Sequence, residues 1–494
     1  MRNHVTKALF LDAQSCPTRA WRALHADTDR RGEDPDLAER WQRWQGHDVG
    51  RRARALLGTG PLLRSGEIEA AERATTDALR DATLTLAFEA TFTWQGCVAR
   101  ADALRRVPDG WEVIEVKSGK TPDPVKEKDR LTREDLDDLA YTVMVARGAG
   151  LPVVAASLML IDRDWRVELA HMRPLMVTRD ATAAVAARAA GFAALLPKLS
   201  KLLLGDREPA ATLTIACRDC RHFGVDCLGI GIEDHLFVLP RLSEKRLDAL
   251  KEYERISRVP KSAELTATQR RVAEAVWRNA PVVDAAVLAK LDGLQWPLRF
   301  LDFETVSVAV PWFPSTPPHQ QVPFQYSLHV QAVPGGTLVH QWHLADVETD
   351  WRRVLADRLI FDLGSTGSIL SYSPFEAQVL TGLGEMLPEL QPACDALIAR
   401  IVDLEPIVRE GWVHPGFCGR STMKKVLPVV DPTLSYATLA IGDGSAASAA
   451  FALMRVGEVP EASHAGIRAE LLTYCEQDTL AMVKVHDALR GVRG

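Results

Sequence analysis

No stretch of this chain is apolar for long enough to cross a bilayer; the longest run, around Leu151–Ile161, covers about half of what a spanning helix needs. Behind Arg2 and Lys7 there is no apolar core of the kind a secretory leader carries, and Cys16, which follows Ala-Gln-Ser, lacks the one that precedes a lipid anchor. Positive charge is not in excess: 59 Lys and Arg stand against 65 Asp and Glu, so a surface for a polyanion has to be local. No internal repeat and no low-complexity tract is visible, which argues against a solenoid or a biased tail. Cysteine is sparse, with eight in the chain, and the expectation is reduced thiols in the cytoplasm with no membrane partner.

What is present suits a globular protein. At 494 residues, 47% of them hydrophobic, two or three domains with buried cores are expected. Helical patterning over residues 1–60 gives way to strand material over 61–120 and an amphipathic helix over Asp135–Ala146. Two more strands follow over 151–172, then an Ala/Leu-rich helix over 178–204. A charged helical run, punctuated by Pro240, Pro260 and Pro281, leads to new strand patterning from Trp296. The expected class is α/β, with a domain at 1–230, a helical connector at 231–292 and a second domain at 293–494.

Residues 100–117 read as two strands joined at Pro108-Asp109-Gly110. Asp102 lies on the first, and Glu115 and Lys117 lie two apart on the second, on the side shared by Val113 and opposite Ile114 and Val116. Two carboxylates and an amine converging at a hairpin end suit a phosphodiesterase that uses Mg²⁺ or Mn²⁺: the acids hold a hard cation, and the lysine positions or activates water. An exposed strand face with paired charges is the alternative. The spacing resembles the PD-(D/E)XK restriction-endonuclease-like core, with Asp102 as its first acid and Glu115-Val-Lys117 as its E-x-K element. Among RecB-type members the resemblance implies an accessory histidine, for which His47 stands. It also implies a helical glutamine followed one turn later by a tyrosine. Tyr141 fits the second place, and Asp137 occupies the first. Glu89, on the preceding strand, is either a further acid near the metal or a strand-edge charge.

Cys217, Cys220 and Cys227 have the close spacing of a metal centre. Cys16 is the natural fourth thiolate, and one cysteine before the core with three after it resembles the iron–sulfur nucleases of the CRISPR-associated and AddB type. That resemblance implies a 4Fe–4S cluster; a zinc ion with His222 as a possible ligand, or no metal, are the other readings.

Leu298–Val306 places Asp302 and Glu304 on one strand face, and a late helix carries Tyr474 and Asp478 four residues apart, again on one face. D-x-E followed by Y-x-x-x-D resembles the tyrosine-bearing branch of the DEDD 3′–5′ exonucleases, which are RNase H-like. It implies two divalent ions held by carboxylates and a tyrosine that orients water. The fourth acid is Glu376 or Asp403. Ser421 and Lys424, at a helix start, suit a phosphate contact, with capping and solvation as the plainer account.

The chain as a whole resembles a bacterial family of unknown function in which an iron–sulfur RecB-like nuclease precedes an RNase H-like exonuclease. The resemblance rests on Glu89-Ala-Thr-Phe, Glu115-Val-Lys117, the Cys217–Cys227 cluster, Leu301-Asp-Phe-Glu-Thr305, Pro323-Phe-Gln325 and Tyr474-Cys-Glu-Gln-Asp-Thr479. It implies a metal-dependent nuclease acting on nucleic acid, DNA before RNA, in repair, recombination or defence. A non-catalytic iron–sulfur scaffold with decayed nuclease folds, and a redox-sensing cluster, are the rival classes.

Overall fold

A computed structural model describes residues 4–26, 36–123 and 131–492. The architecture is mixed α/β, in two compact units: Met1–Pro35, Gln42–Thr212 and Val308–His319 form the first, and Asp36–Trp41, Leu213–Ser307 and Gln320–Gly494 form the second.

The first unit contains α1 (Lys7–Ser15), α2 (Pro17–His25), most of α3 (Leu37–Leu57), α4 (Ile68–Leu79), β1 (Leu86–Trp94), β2 (Cys97–Val107), β3 (Gly110–Lys120), α5 (Arg133–Gly148), β4 (Val153–Ile161), β5 (Met176–Asp180) and α6 (Thr182–Leu203). Its sheet runs β1-β2-β3-β4-β5, antiparallel except for β3–β4, which are parallel and linked through α5. The β2–β3 hairpin closes on Pro108-Asp109, with Asp109 at φ +67. Gly110 is required there, because a Cβ would meet Pro152 O at 2.3 Å. Helix α5 starts on a Thr132 cap that accepts the Asp135 amide at 3.0 Å. It is less amphipathic than its sequence suggests: Leu139 to Ala146 are all buried between sheet and helices.

Contrary to the sequence expectation, one segment, α6, is long and apolar enough to cross a membrane by length and composition. Its Val185, Ala189, Phe192, Leu196, Leu199 and Leu203 pack into the first unit's core, and Arg188 pairs with Asp137 at 2.9 Å.

The second unit contains α7 (Glu244–Leu250), α8 (Ala267–Arg278), β6 (Val282–Val283), α9 (Ala285–Leu288), β7 (Leu298–Ser307), β8 (Gln321–Gln331), β9 (Leu338–Leu344), α10 (Arg352–Leu363), β10 (Ile369–Ser371), α11 (Phe375–Met386), α12 (Gln391–Ile398), β11 (Ile401–Asp403), α13 (Glu405–Gly411), β12 (Trp412–Val413), α14 (Met423–Val430), α15 (Gly444–Arg455) and α16 (Glu461–Gly491). Its main sheet runs β11-β10-β7-β8-β9, with β7, β8 and β9 antiparallel and β10 parallel to both β7 and β11.

The boundaries differ from those expected. The first unit's chain leaves at Thr212, so the cysteines of residues 217–227 belong to the second unit, while Val308–His319 belongs to the first, where Gln45 Oε1 accepts the Ala309 amide at 3.0 Å. Residues 231–292 are no free-standing connector. Leu236, Leu239, Leu247, Leu250, Ile256, Val259 and Ala273 bury together, and β6 pairs with β12. Proline and charge disguise a run whose apolar residues need a core as much as any other.

Candidate metal centre and acidic site

Helix α16 lies along β7 in the opposite sense. Near the strand's start Phe300 meets His486, ring to ring at 5.6 Å; further on, Cys475 Sγ is 3.5 Å from Asp302 Oδ2. Leu471, Cys475, Met482, Val485 and Leu489 recur every three or four residues and are buried against the sheet. Asp478 falls in that same rhythm and is its one acid. On β7, Leu298 and Phe300 are apolar where Asp302 and Glu304, on the same face, are acidic. The two elements therefore change from apolar to acidic at matching heights.

The acids predicted from the sequence meet there. Asp302 is raised well above the usual carboxylate range, by burial first and then by Asp478, Glu304 and Glu376. Glu304, 5% exposed, is raised likewise by burial and by Asp478, Asp443 and Glu376. Glu376, 3% exposed on the first turn of α11, is pushed up to about 7 by burial, with Asp403 and Asp478 adding to it. Asp478 rises to about 6 through burial, restrained by hydrogen bonds from Tyr436 and Tyr474 and by the charge of Lys424. Among the described residues, none of these four carboxylates is in an ion pair. Ligand atoms of Asp302, Glu304 and Cys475 lie within 4.8 Å of one another. Buried acids that repel one another and, among the described residues, are in no ion pair fit a divalent ion chemically: oxygen ligands are what Mg²⁺ and Mn²⁺ take.

Of the two rivals for fourth acid, Glu376 acts directly on Asp302 and Glu304. Asp403 acts on Glu376 and holds the Glu405 amide at 2.9 Å, a supporting position at the end of β11. The Tyr474 hydroxyl, on a residue 6% exposed, reaches Asp478. Its neighbour Tyr436, which also bonds Asp478, carries no periodic signal in a loop sequence and was not foreseen. Nor was Cys475, which as a buried small residue has no chemical mark until Asp302 is placed beside it. Lys424 is brought to this site: its Nζ donates to Gly442 O at 2.9 Å and lies 5.9 Å from the Tyr436 ring centre. Ser421 is not. Its hydroxyl bonds Glu405, and it lines a separate cavity of about 590 Å³ with Arg241, Arg271, Arg409 and Arg420.

In the first unit the β2–β3 ladder ends beside Asp102. Beyond the Ala103–Ile114 pair the Val116 amide donates to Asp102 Oδ2 at 2.7 Å. Asp102 is pushed up to about 7, by burial and by Glu115, with Glu89 adding to it and Lys7 opposing. Glu89 leaves the regular ladder at φ +58, a left-handed conformation that is strained for a side-chain-bearing residue within a strand. It shares a cleft of about 480 Å³ with His47, Asp102, Lys117, Arg54 and Arg100.

Glu115 lies between two amines, Lys7 Nζ at 2.5 Å and Lys117 Nζ at 3.4 Å. Burial alone would lower the Lys117 ammonium, but Glu115 and Asp138 outweigh it and hold it above its ordinary range. Lys7 and Asp138 were not foreseen, because neither adjoins the hairpin in sequence. Two expectations on α5 need correction. Asp138, not Asp137, faces the lysine; the 100° step per residue turns Asp137 toward Arg188 and Arg133. Tyr141 is no accessory to the site: it is fully buried, and its hydroxyl donates to Val5 O at 2.7 Å, pinning the N-terminal bridge to the sheet.

Cys16 belongs to the first unit, where its Sγ accepts the Arg19 amide at 3.4 Å at the start of α2. Cys217, Cys220 and Cys227 belong to the second and lie on consecutive turns: the Cys220 amide donates to Cys217 O at 3.2 Å, and the Cys227 amide to His222 O at 3.1 Å. His222 is held by Asp226 at 2.9 Å. Among the described residues, the ligand atoms of Cys217, Cys220 and Cys227 do not converge within 4.8 Å of one another, so the three thiols share one short looped segment without forming a closed ligand set.

A family model described as Domain of unknown function (DUF2779) matches residues 299–422, taking in Asp302, Glu304, Glu376, Asp403 and Ser421 and stopping short of Tyr474 and Asp478. No curated protein and no solved structure matches the chain.

Proposed function

We propose that the second unit is an RNase H-like, metal-dependent 3′–5′ exonuclease acting on nucleic acid, with DNA favoured over RNA, in the cytoplasm. The observation that carries this is the convergence of Asp302 and Glu304 ligand atoms within 4.8 Å, with Glu376 and Asp478 as their electrostatic neighbours and, among the described residues, no ion-paired cation on any of the four. Those four acids would hold the divalent ions, which when bound supply water activation and charge stabilisation at the leaving oxygen. The chain's own groups do the positioning. Tyr436 and Tyr474 hold Asp478 in place, and the Tyr474 hydroxyl would orient the attacking water. Lys424 supplies positive charge for a phosphate at the mouth. Tyr474→Phe is expected to slow digestion about 10²-fold while Mn²⁺ affinity stays within a few-fold, in the range for loss of one positioning group. Unchanged turnover would remove Tyr474 from that role. The decisive assay is end-labelled single- and double-stranded DNA and RNA incubated with Mg²⁺, Mn²⁺ or EDTA; no metal-dependent shortening from 3′ ends would refute the reading.

The first unit is proposed as a second, PD-(D/E)XK-type nuclease site, built on Asp102, Glu115 and Lys117 with Glu89 and His47 in its cleft. One observation favours a second reading for this unit, a binding module: Glu115 is already neutralised by Lys7 and Lys117. Asp102→Asn in an Asp302→Asn background separates the two. A nuclease loses its residual Mn²⁺-dependent cleavage, while a binding module shows no cleavage to lose and retains DNA in EDTA.

The cysteines of residues 217–227 are proposed to hold a 4Fe–4S cluster, with zinc as the alternative. Cys220→Ser is expected to remove most of the iron and the visible absorption from anaerobically purified protein; stoichiometric zinc without iron would select the alternative.

A further inference from the structure

A set of side chains on the β8–β9 hairpin is left unused by the exonuclease reading. His329 and His340 are directly opposed across the ladder, their rings stacked with centroids 4.6 Å apart. Glu476 of α16 brings Oε1 to 3.4 Å from His340 Nδ1. One nitrogen from each ring and one oxygen of Glu476 lie within 4.8 Å of one another.

One arrangement of protons satisfies the hydrogen bonds behind the rings and turns a lone pair of each ring to the front. Thr479 Oγ1 donates to Glu476 O at 3.0 Å, so toward Ser327 Oγ and His329 Nδ1, each at 2.8 Å, it accepts. Ser327 then gives its proton to Thr479 and accepts one from His340 Nε2 at 2.9 Å. In that arrangement both rings carry a proton on the nitrogen that faces a hydroxyl. In the neutral imidazoles, the lone pairs are on His329 Nε2 and His340 Nδ1. A partner behind each ring that settles its tautomer is the arrangement metal-bound histidines have.

We propose that His329, His340 and Glu476 form a site for one divalent transition metal ion of the zinc class, with solvent completing the coordination. Two imidazoles and a carboxylate are borderline donors, suited to such ions rather than to Mg²⁺, and three protein ligands leave a position open. Glu476 stands between Tyr474 and Asp478 on α16. An ion there ties the segment presenting those residues to strands β8 and β9. The proposal is independent of the chain being a nuclease.

The test is titration of EDTA-stripped, full-length protein with ZnCl₂ and, in parallel, CoCl₂, in millimolar Mg²⁺ to keep harder oxygen sites filled. His340→Gln and Glu476→Gln are each expected to bind one equivalent fewer of Zn²⁺ than the natural chain, with affinity at that site reduced at least ~100-fold, beyond the ~10–100-fold typical of losing an outer partner. The missing cobalt equivalent should show visible bands without a thiolate-to-cobalt charge-transfer band. Thr479→Val is expected to weaken the same equivalent by about 10–100-fold. Equal stoichiometry and affinity in all the proteins overturns the proposal, as does loss of an equivalent that carries the thiolate band. The Glu476 side chain is 50% exposed, so Glu476→Gln keeps the test alive should His340→Gln fail to fold.

Discussion

Asp302→Asn and Asp478→Asn, each in the full-length chain, are expected to lower metal-dependent removal of 3′-terminal nucleotides by about 10³-fold or more, while raising thermal stability in EDTA. The loss follows from taking a charged oxygen from a set in which each carboxylate helps hold the cations. The gain follows from the same crowding. In the metal-free protein each acid raises its neighbours, Asp302 being pushed up after burial by Asp478, Glu304 and Glu376. An amide in place of one of them relieves the repulsion. Opposite signs for activity and stability mark a functional site rather than a structural one. A variant that loses activity by losing its fold would instead melt earlier, and an active Asp302→Asn protein would end the exonuclease assignment.

Divalent metal is expected to stabilise the second unit strongly at pH 8 and little at pH 5. Burial pushes Glu376 up to about 7 and Asp478 up to about 6 in the folded chain, from ordinary values of 4.5 and 3.8. Asp302 and Glu304 shift in the same direction. The folded state thus keeps protons that the unfolded chain releases. The stability this contributes is fully present below about pH 4 and is lost as pH climbs through about 7. For Glu376 taken alone the change is on the order of 3 kcal/mol. Mn²⁺ binds the ionised acids and restores stability where they have lost their protons. Melting curves in EDTA and in Mn²⁺, from pH 5 to pH 8, check this, with Asp302→Asn expected to flatten the pH dependence. A natural chain whose melting in EDTA rises steadily over that range would show the acids to be apart.

Residues legible from the sequence were those whose chemistry coincides with a local period. Asp302 and Glu304 alternate on a strand, Tyr474 and Asp478 are one helical turn apart, and Glu115 and Lys117 are two apart beside a turn; the structure brings each of these pairs onto a common face. Asp478 also interrupts an apolar helix stripe, a signal available without any coordinates. Where only the resemblance was available, one residue of register was enough to mislead. Asp137 and Asp138 differ by 100° around α5, and Tyr141, which the resemblance implied as an accessory to the site, is in the core.

The sequence by itself determined the mixed α/β character, the two acidic constellations and the type of chemistry they suit, because alternation and helical spacing act between near neighbours. Tertiary structure alone decided the partners. Lys7 reaches Glu115, Tyr436 reaches Asp478, Glu376 rather than Asp403 acts on Asp302, and residues 231–292 fold into the second unit. Those contacts join residues tens to hundreds of positions apart, where no periodicity operates. Long-range burial of apolar surface sets which side chains meet, and electrostatics acts on whatever that packing has brought together.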